Sequence, residues 1–156
     1  MSKVTPATLV LDRAGVTYGL RTYDYDPGAD SIGRHAALSL RVDPAIMFKS
    51  LMTLVDRKPV CAVLPSDREA ALKRLAQAAG GKSAVMMAPD KAERMTGYKV
   101  GGISPLGQRR ACPVVVEAVA LDHPQIFVNG GQRGLQIQIA PADLIAVLGA
   151  VTASFS

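Results

Sequence analysis

The chain has no tryptophan, and aromatic residues make up only 4% of it. A broad platform of exposed rings for stacking single-stranded nucleic acid is thereby excluded. Cysteine is as scarce: Cys61 and Cys112 stand far apart in unrelated contexts and form no metal knuckle. Cys61, inside the apolar run PVCAVLP, reads as a small buried hydrophobe. The two histidines, His35 and His123, have no Cys or His at ligand spacing, so no zinc site is expected and both are placed at the surface. No apolar run approaches the ~20 residues a bilayer span requires, and MSKVTPATL has no apolar signal region. These absences predict a cytoplasmic, reduced protein with no metal, no cofactor and no membrane partner.

What is present is a core. The 156 residues are 49% apolar and only 20% charged, which excludes disorder and suits one domain burying roughly two-thirds of its unfolded surface. A formal net charge of +5 favours a polyanionic partner without requiring one.

Proline and glycine punctuate the chain legibly. Thr5–Pro6 opens a helix that Gly15 stops, and Asp43–Pro44 opens a short turn. Ser66 and Glu69 form a capping box ahead of AALKRLAQAA, ended by Gly80–Gly81. Pro89 with Gly97, and Pro141 with Gly149, bracket two more helices, while GRHAALSL around His35 is helix-like. Strand patterns run from Val16 to Tyr23, Met47 to Val55, Val60 to Leu64, Val114 to Glu117, Ile126 to Asn129 and Leu135 to Ile139. With no repeat or linker, this predicts one α/β or α+β domain over residues 1–156, with a mixed sheet and helices around it.

Chemistry concentrates in GYKVGGISPLGQRR, Gly97 to Arg110. Gly101 and Gly102 leave their amides uncovered, Pro105 stiffens the turn, and Arg109 and Arg110 add two fixed charges at its exit. Such a loop can set bare N–H groups against a carbonyl or phosphate oxygen; equally, it can be a plain crossover between strands. Lys49 lies in the apolar strand MFKSLMTLV, on one face with Met47 and Leu51. A lysine there either snorkels from an edge strand to water or points into a pocket. GGQRG is a hairpin turn in one reading and, in the other, brings Arg133 to the rim of the same pocket. The alternation of Leu135, Ile137 and Ile139 with Gln136 and Gln138 gives a buried face and a neutral polar one. YDYDPGAD, Tyr23 to Asp30, reads as a turn held by Asp side chains. A protein nucleophile is hard to find: Ser104 in GISPLG is no nucleophile elbow, and Pro105 after it has no N–H to offer.

TPATLVLDRAG, TYDYDP, FKSLM, TGYKVGGISPLGQRR and NGGQRGLQIQIAPADL together resemble the YbaK/EbsC family, free-standing relatives of the prolyl-tRNA editing domain, from about Thr5 to Thr152. The likeness is closest to YbaK-type Cys-tRNA(Pro) deacylases. It implies a mixed, barrel-like sheet surrounded by helices, and removal in trans of cysteine wrongly attached to tRNA(Pro), since a pocket separates amino acids of similar size only modestly. The resemblance makes Lys49 the essential residue. Around the aminoacyl-adenosine end it sets Tyr23, Ile32, Ser50, Gly101, Gly102, Ile103, Ser104, Asn129 and Gln136, with Arg109, Arg110 and Arg133 on tRNA phosphates. It also implies that the thiol of the tRNA-bound cysteine attacks its own ester, with water-mediated hydrolysis as the competing route. The implied partner is the tRNA(Pro) acceptor end, with prolyl-tRNA synthetase a further one that would supply tRNA identity. Where the family often has Phe, Thr, Ser and Asp, this chain has Ile32, Ser50, Asn129 and Gln136. Gln136 removes a negative charge from the place where a substrate α-ammonium would sit. Specificity for alanine or another small residue, and a noncatalytic module binding a tRNA 3′ end, are the alternatives.

Overall fold

Thr5 fixes the start of α1 (Pro6–Ala14): its hydroxyl accepts from the Thr8 amide at 3.1 Å, and Thr8 returns the bond to the Thr5 amide. The computed structural model describes residues 4–28 and 32–156, so the Ala29–Asp30 end of YDYDPGAD lies outside the described residues. After α1 come β1 (Gly19–Thr22), α2 (Ile32–Leu40), and the hairpin β2 (Phe48–Val55) and β3 (Lys58–Pro65). Next are α3 (Leu72–Ala78), β4 (Ala84–Met86) and α4 (Pro89–Thr96). Beyond the long loop follow β5 (Val114–Glu117), a 3-10 turn at Ala118–Asp122, β6 (Ile126–Asn129), β7 (Leu135–Ile139), α5 (Pro141–Leu148) and β8 (Val151–Ala153).

The Ser66–Glu69 capping box is not formed. β3 continues to Pro65, and the Ser66 hydroxyl donates instead to the Pro44 carbonyl at 3.0 Å. The helix therefore begins later, at Leu72, with Ala71 at its cap.

The strands make two sheets. One is mixed, in the order β4-β2-β3-β5-β8, with β3, β5 and β8 parallel; the other is antiparallel, β1-β7-β6. They meet at a single parallel bridge, Met47 to Phe127, supported by the Phe127 amide donating to the Ile46 carbonyl at 2.9 Å. The expected barrel-like sheet is thus corrected to two sheets joined at one seam. The short edge strands β4 and β8 have no partner on their outer side among the described residues, so nothing closes the barrel.

Strand alternation then builds three layers of packing. The inner faces share one core, with Phe48, Met52, Val63, Val116, Val128 and Ile137 among its members, and α1, α4 and α5 contribute to it. On the outer face of the five-stranded sheet, α3 packs over Leu64, Val60 and Val115. On the outer face of the three-stranded sheet, α2 covers Phe127 and Met47 through Ala36, Ala37 and Leu40. A single α+β domain results, in which the α2 cluster takes in Met47 at the start of β2 and the α3 cluster takes in Leu51 and Val55 further along it.

Candidate active site

Lys49 sits on β2 between the strand positions of these two clusters. It follows Met47, which belongs to the α2 cluster, and precedes Leu51, which packs with the α3 cluster, all three on one face of β2. Its side chain is half-buried, and burial holds its pKa below the ordinary 10.5. The carboxylates of Glu69 and Asp67 pull it back up, and the Arg34 guanidinium pushes it further down. Whenever this amine carries its proton, its partial dehydration strengthens its pull on a nearby anion.

From the Met47–Phe127 bridge, β2 and β6 run on alongside each other, so two residues further Lys49 and Asn129 stand at matching positions on one face. Asn129 is paired in register with Gln136, and Tyr23 follows β1 with its amide donating to the Gly134 carbonyl at 3.0 Å. Tyr23 and Gln136 are neighbours: burial raises the Tyr23 pKa and the Gln136 side chain pulls the other way, so the phenol stays neutral. Three buried side-chain atoms make no hydrogen bond among the described residues, and they are Tyr23 Oη, Ser50 Oγ and Gln136 Oε1. Buried polar atoms are nearly always satisfied, so Tyr23 Oη and Gln136 Oε1, on neighbouring side chains, stand out, while Ser50 Oγ belongs to the other face of its strand. Ser50 shares the inner face with Phe48 and Met52, not the face of Lys49. Ile32, half-buried, is the first residue of α2.

The glycine loop is fastened to the β6–β7 turn by side chains. Asn129 Nδ2 donates to the Gly101 carbonyl at 3.3 Å, while its Oδ1 accepts from the Gly131 and Gln132 amides at 2.7 and 3.3 Å. Arg133 Nε donates to the Val100 carbonyl at 2.9 Å, and its guanidinium lies 5.0 Å from the centre of the Tyr25 ring. Gly101 takes φ 91°, and a Cβ there would meet Tyr25 Oη at 2.5 Å, so only glycine fits.

Several expected roles change. The Gly102 amide donates to the Lys99 carbonyl at 2.8 Å, so it is not free to stabilise an oxyanion. The Gly101 and Ile103 amides make no hydrogen bond among the described residues and remain available. Ser104 is fully buried, its hydroxyl accepting from the Leu106 amide at 3.2 Å, which makes it a shaper of the loop. Asn129 is likewise occupied with holding backbone.

The three arginines do not converge. Arg133 clamps the loop and lines a cavity of about 690 Å³ with Tyr23, Asp24 and Ser39. Arg109 is exposed and packs over Gly97, and Arg110 lines a separate cavity at the far end of the β2–β3 hairpin. Lys49 itself lines neither cavity.

The sequence reading missed two residues here. Tyr25, two positions after Tyr23, supports Gly101, and that spacing of two was the available signal. His35, expected at the surface, stacks edge-on against Tyr23 with ring centres 6.0 Å apart and bonds the Asp24 carbonyl at 3.0 Å.

Neither cysteine is a poised nucleophile, and the hydroxyl beside an imidazole here is Ser39, 3.5 Å from His35 Nε2. Burial pushes both cysteine thiols up, away from the reactive thiolate: Cys61 is wholly enclosed and Cys112 half so.

Residues 26–147 match the model of the aminoacyl-tRNA editing domain. The chain belongs to the aminoacyl-tRNA editing domain family. It is 32% identical over 145 residues to EbsC of Enterococcus faecalis, a proposed Cys-tRNA(Pro)/Cys-tRNA(Cys) deacylase, covering 92% of this chain and 87% of that one. The resemblance to YbaK/EbsC is thereby established. Among solved structures, the editing domain superposes on hypothetical protein APE2540 with a TM-score of 0.84 at 24% identity, covering 97% and 99% of the two chains. A proposed trans-editing enzyme for prolyl-tRNA synthetase gives 0.82 at 18% identity, over 100% and 98%. At those identities the two structures speak for the fold. No helix of the described residues is long and apolar enough to cross a membrane.

Proposed function

We propose that this editing domain is a trans-acting deacylase that removes cysteine from mischarged tRNA(Pro). The observation that carries the reading is the neighbouring pair Tyr23 and Gln136, whose buried Oη and Oε1 make no hydrogen bond among the described residues, in a fold that half-buries Lys49 on β2. Kinship with EbsC supports the substrate.

The chemistry needs no nucleophile from the protein. The substrate thiol attacks the carbonyl carbon of its own ester and the new S–C bond closes a thiolactone. The C–O bond to the terminal ribose breaks, and the thiol proton ends on the ribose oxygen, leaving tRNA with a free hydroxyl. Lys49 anchors the terminal nucleotide and supports the negative charge that gathers on the carbonyl oxygen. The Gly101 amide, presented by Asn129 and Tyr25, donates to the same oxygen. Folding the aminoacyl group into reactive geometry supplies the remainder, because intramolecular attack can lower a barrier by several kcal/mol.

The second reading is a water-mediated deacylase for alanine or another small residue; the neutral Gln136 weakens any hold on the α-ammonium, which every aminoacyl ester shares, and so does not choose between the two. The test is a panel of tRNAs charged with cysteine, alanine, serine and proline, including Cys-tRNA(Pro) with its thiol alkylated. Rapid loss of cysteine from tRNA(Pro), arrested by alkylation, is expected. Turnover undiminished by alkylation would replace self-cyclisation with hydrolysis. Binding without deacylation of any member would reduce the protein to a tRNA-end binding module.

A further inference from the structure

A cavity of about 930 Å³ lies at the opposite end of β2 from Lys49 and has no part in the chemistry above. Four cations line it: Lys58 at the start of β3, Lys91 and Arg94 one helical turn apart on α4, and Arg110 at the exit of the glycine loop. A single carboxylate, Asp56, joins them, and it is already occupied, accepting from the Lys82 amide at 3.0 Å and from the Ser83 amide at 3.1 Å. Arg94 has one acidic partner, Asp90 at 3.7 Å, with both side chains more than three-quarters exposed, a pair too hydrated to neutralise the groove. Asp56 keeps its negative charge, and four cations against that one lining carboxylate still leave the concave surface with an excess of positive charge.

From this we infer that the groove of Lys58, Lys91, Arg94 and Arg110 is a second contact surface, holding the phosphate backbone of the tRNA acceptor arm while the terminal adenosine occupies the Lys49 site. The inference rests on the tRNA-editing reading and extends it. Lys49 to Val55 is six residues of strand, so the groove lies about 20 Å from the lysine, well beyond the reach of one nucleoside. The glycine-rich loop Gly97–Arg110, which the proposed chemistry uses through Gly101, ends at Arg110 in this groove. Cations without base-reading partners suit a contact to backbone shape and charge rather than to sequence.

The test is equilibrium binding of labelled, uncharged tRNA(Pro) transcript, followed by fluorescence anisotropy across a salt series. Native protein is compared with K91E/R94E and with a control of equal charge change on other exposed residues, R13E/K73E. The groove variant is expected to bind at least tenfold more weakly at low salt. Its plot of log affinity against log salt should be shallower by about 0.7–0.9 for each phosphate no longer neutralised. The milder K91Q/R94Q should fall between. Equal weakening by groove and control variants, or no binding of tRNA by native protein, would overturn the groove. So would equally tight binding of a DNA duplex of matched length. Tight, groove-dependent tRNA binding with no deacylation would instead sink the editing reading and leave the groove standing.

Discussion

At the scale of single residues, Lys49 and Gly101 make separable claims. Lys49 must be an ammonium to work, and its pKa is lowered chiefly by burial. The charged form exists below the pKa, so activity disappears as pH rises through it. A lowered value moves that loss to below pH 10.5, where an ordinary lysine would still be charged. A pH–rate profile, corrected for spontaneous ester loss, should show this alkaline limb. A flat profile up to pH 10.5 would contradict it. Gly101→Ala places a Cβ against Tyr25 at a left-handed φ, costing roughly 1–3 kcal/mol of local strain. Deacylation should fall, while a Tyr25→Ala change in the same chain, which vacates the clash, should restore part of it. Lys49 was legible because a charge in an apolar strand is conspicuous. The roles of Gly102 and Ser104 were not, because a sequence does not say which amides a turn will use internally. Asn129 illustrates the same limit: its type was noticed, but its three bonds to backbone come from parts of the chain that only folding brings together.

Elements whose ends carry their own chemistry were read well. Thr5 with Gly15, Pro89 with Gly97, and Pro141 with Gly149 bracket helices in the structure as their local geometry requires. The box at Ser66 and Glu69 failed because tertiary structure recruited Ser66 to the Pro44 carbonyl and carried β3 on to Pro65. Three-residue strands are too short to show a period, so Ala84–Met86 and Val151–Ala153 left no signal. Thr5 offers the sharpest element-scale prediction. Its buried hydroxyl both caps α1 and donates to the Gly130 carbonyl at 2.6 Å, tying the helix to the β6–β7 turn that holds the glycine loop. Thr5→Ala should lower stability by about 1–3 kcal/mol in urea denaturation, more than an exposed cap would. It should also slow deacylation, since the turn it steadies carries Asn129. Unchanged stability would show that the cap and the tie are dispensable.

For the whole molecule, the departure from expectation is the open seam. Two sheets joined, among the described residues, by the one bridge of Met47 and Phe127 leave β2 and β6 side by side without a continuous ladder, and Lys49 lies two residues past the join. Which helices would cover the two outer faces depended on packing between segments far apart in the chain. The single-domain α+β class was readable; the half-buried surroundings of Lys49 were not. The claim on which the account turns is that this ammonium acts on the ester. The most direct measurement is single-turnover deacylation of Cys-tRNA(Pro) by native protein and by Lys49→Ala, with circular dichroism confirming that the variant is folded. The account predicts a loss of about 100-fold or more in the bound-state rate. A folded variant that clears the substrate at the native rate would contradict it.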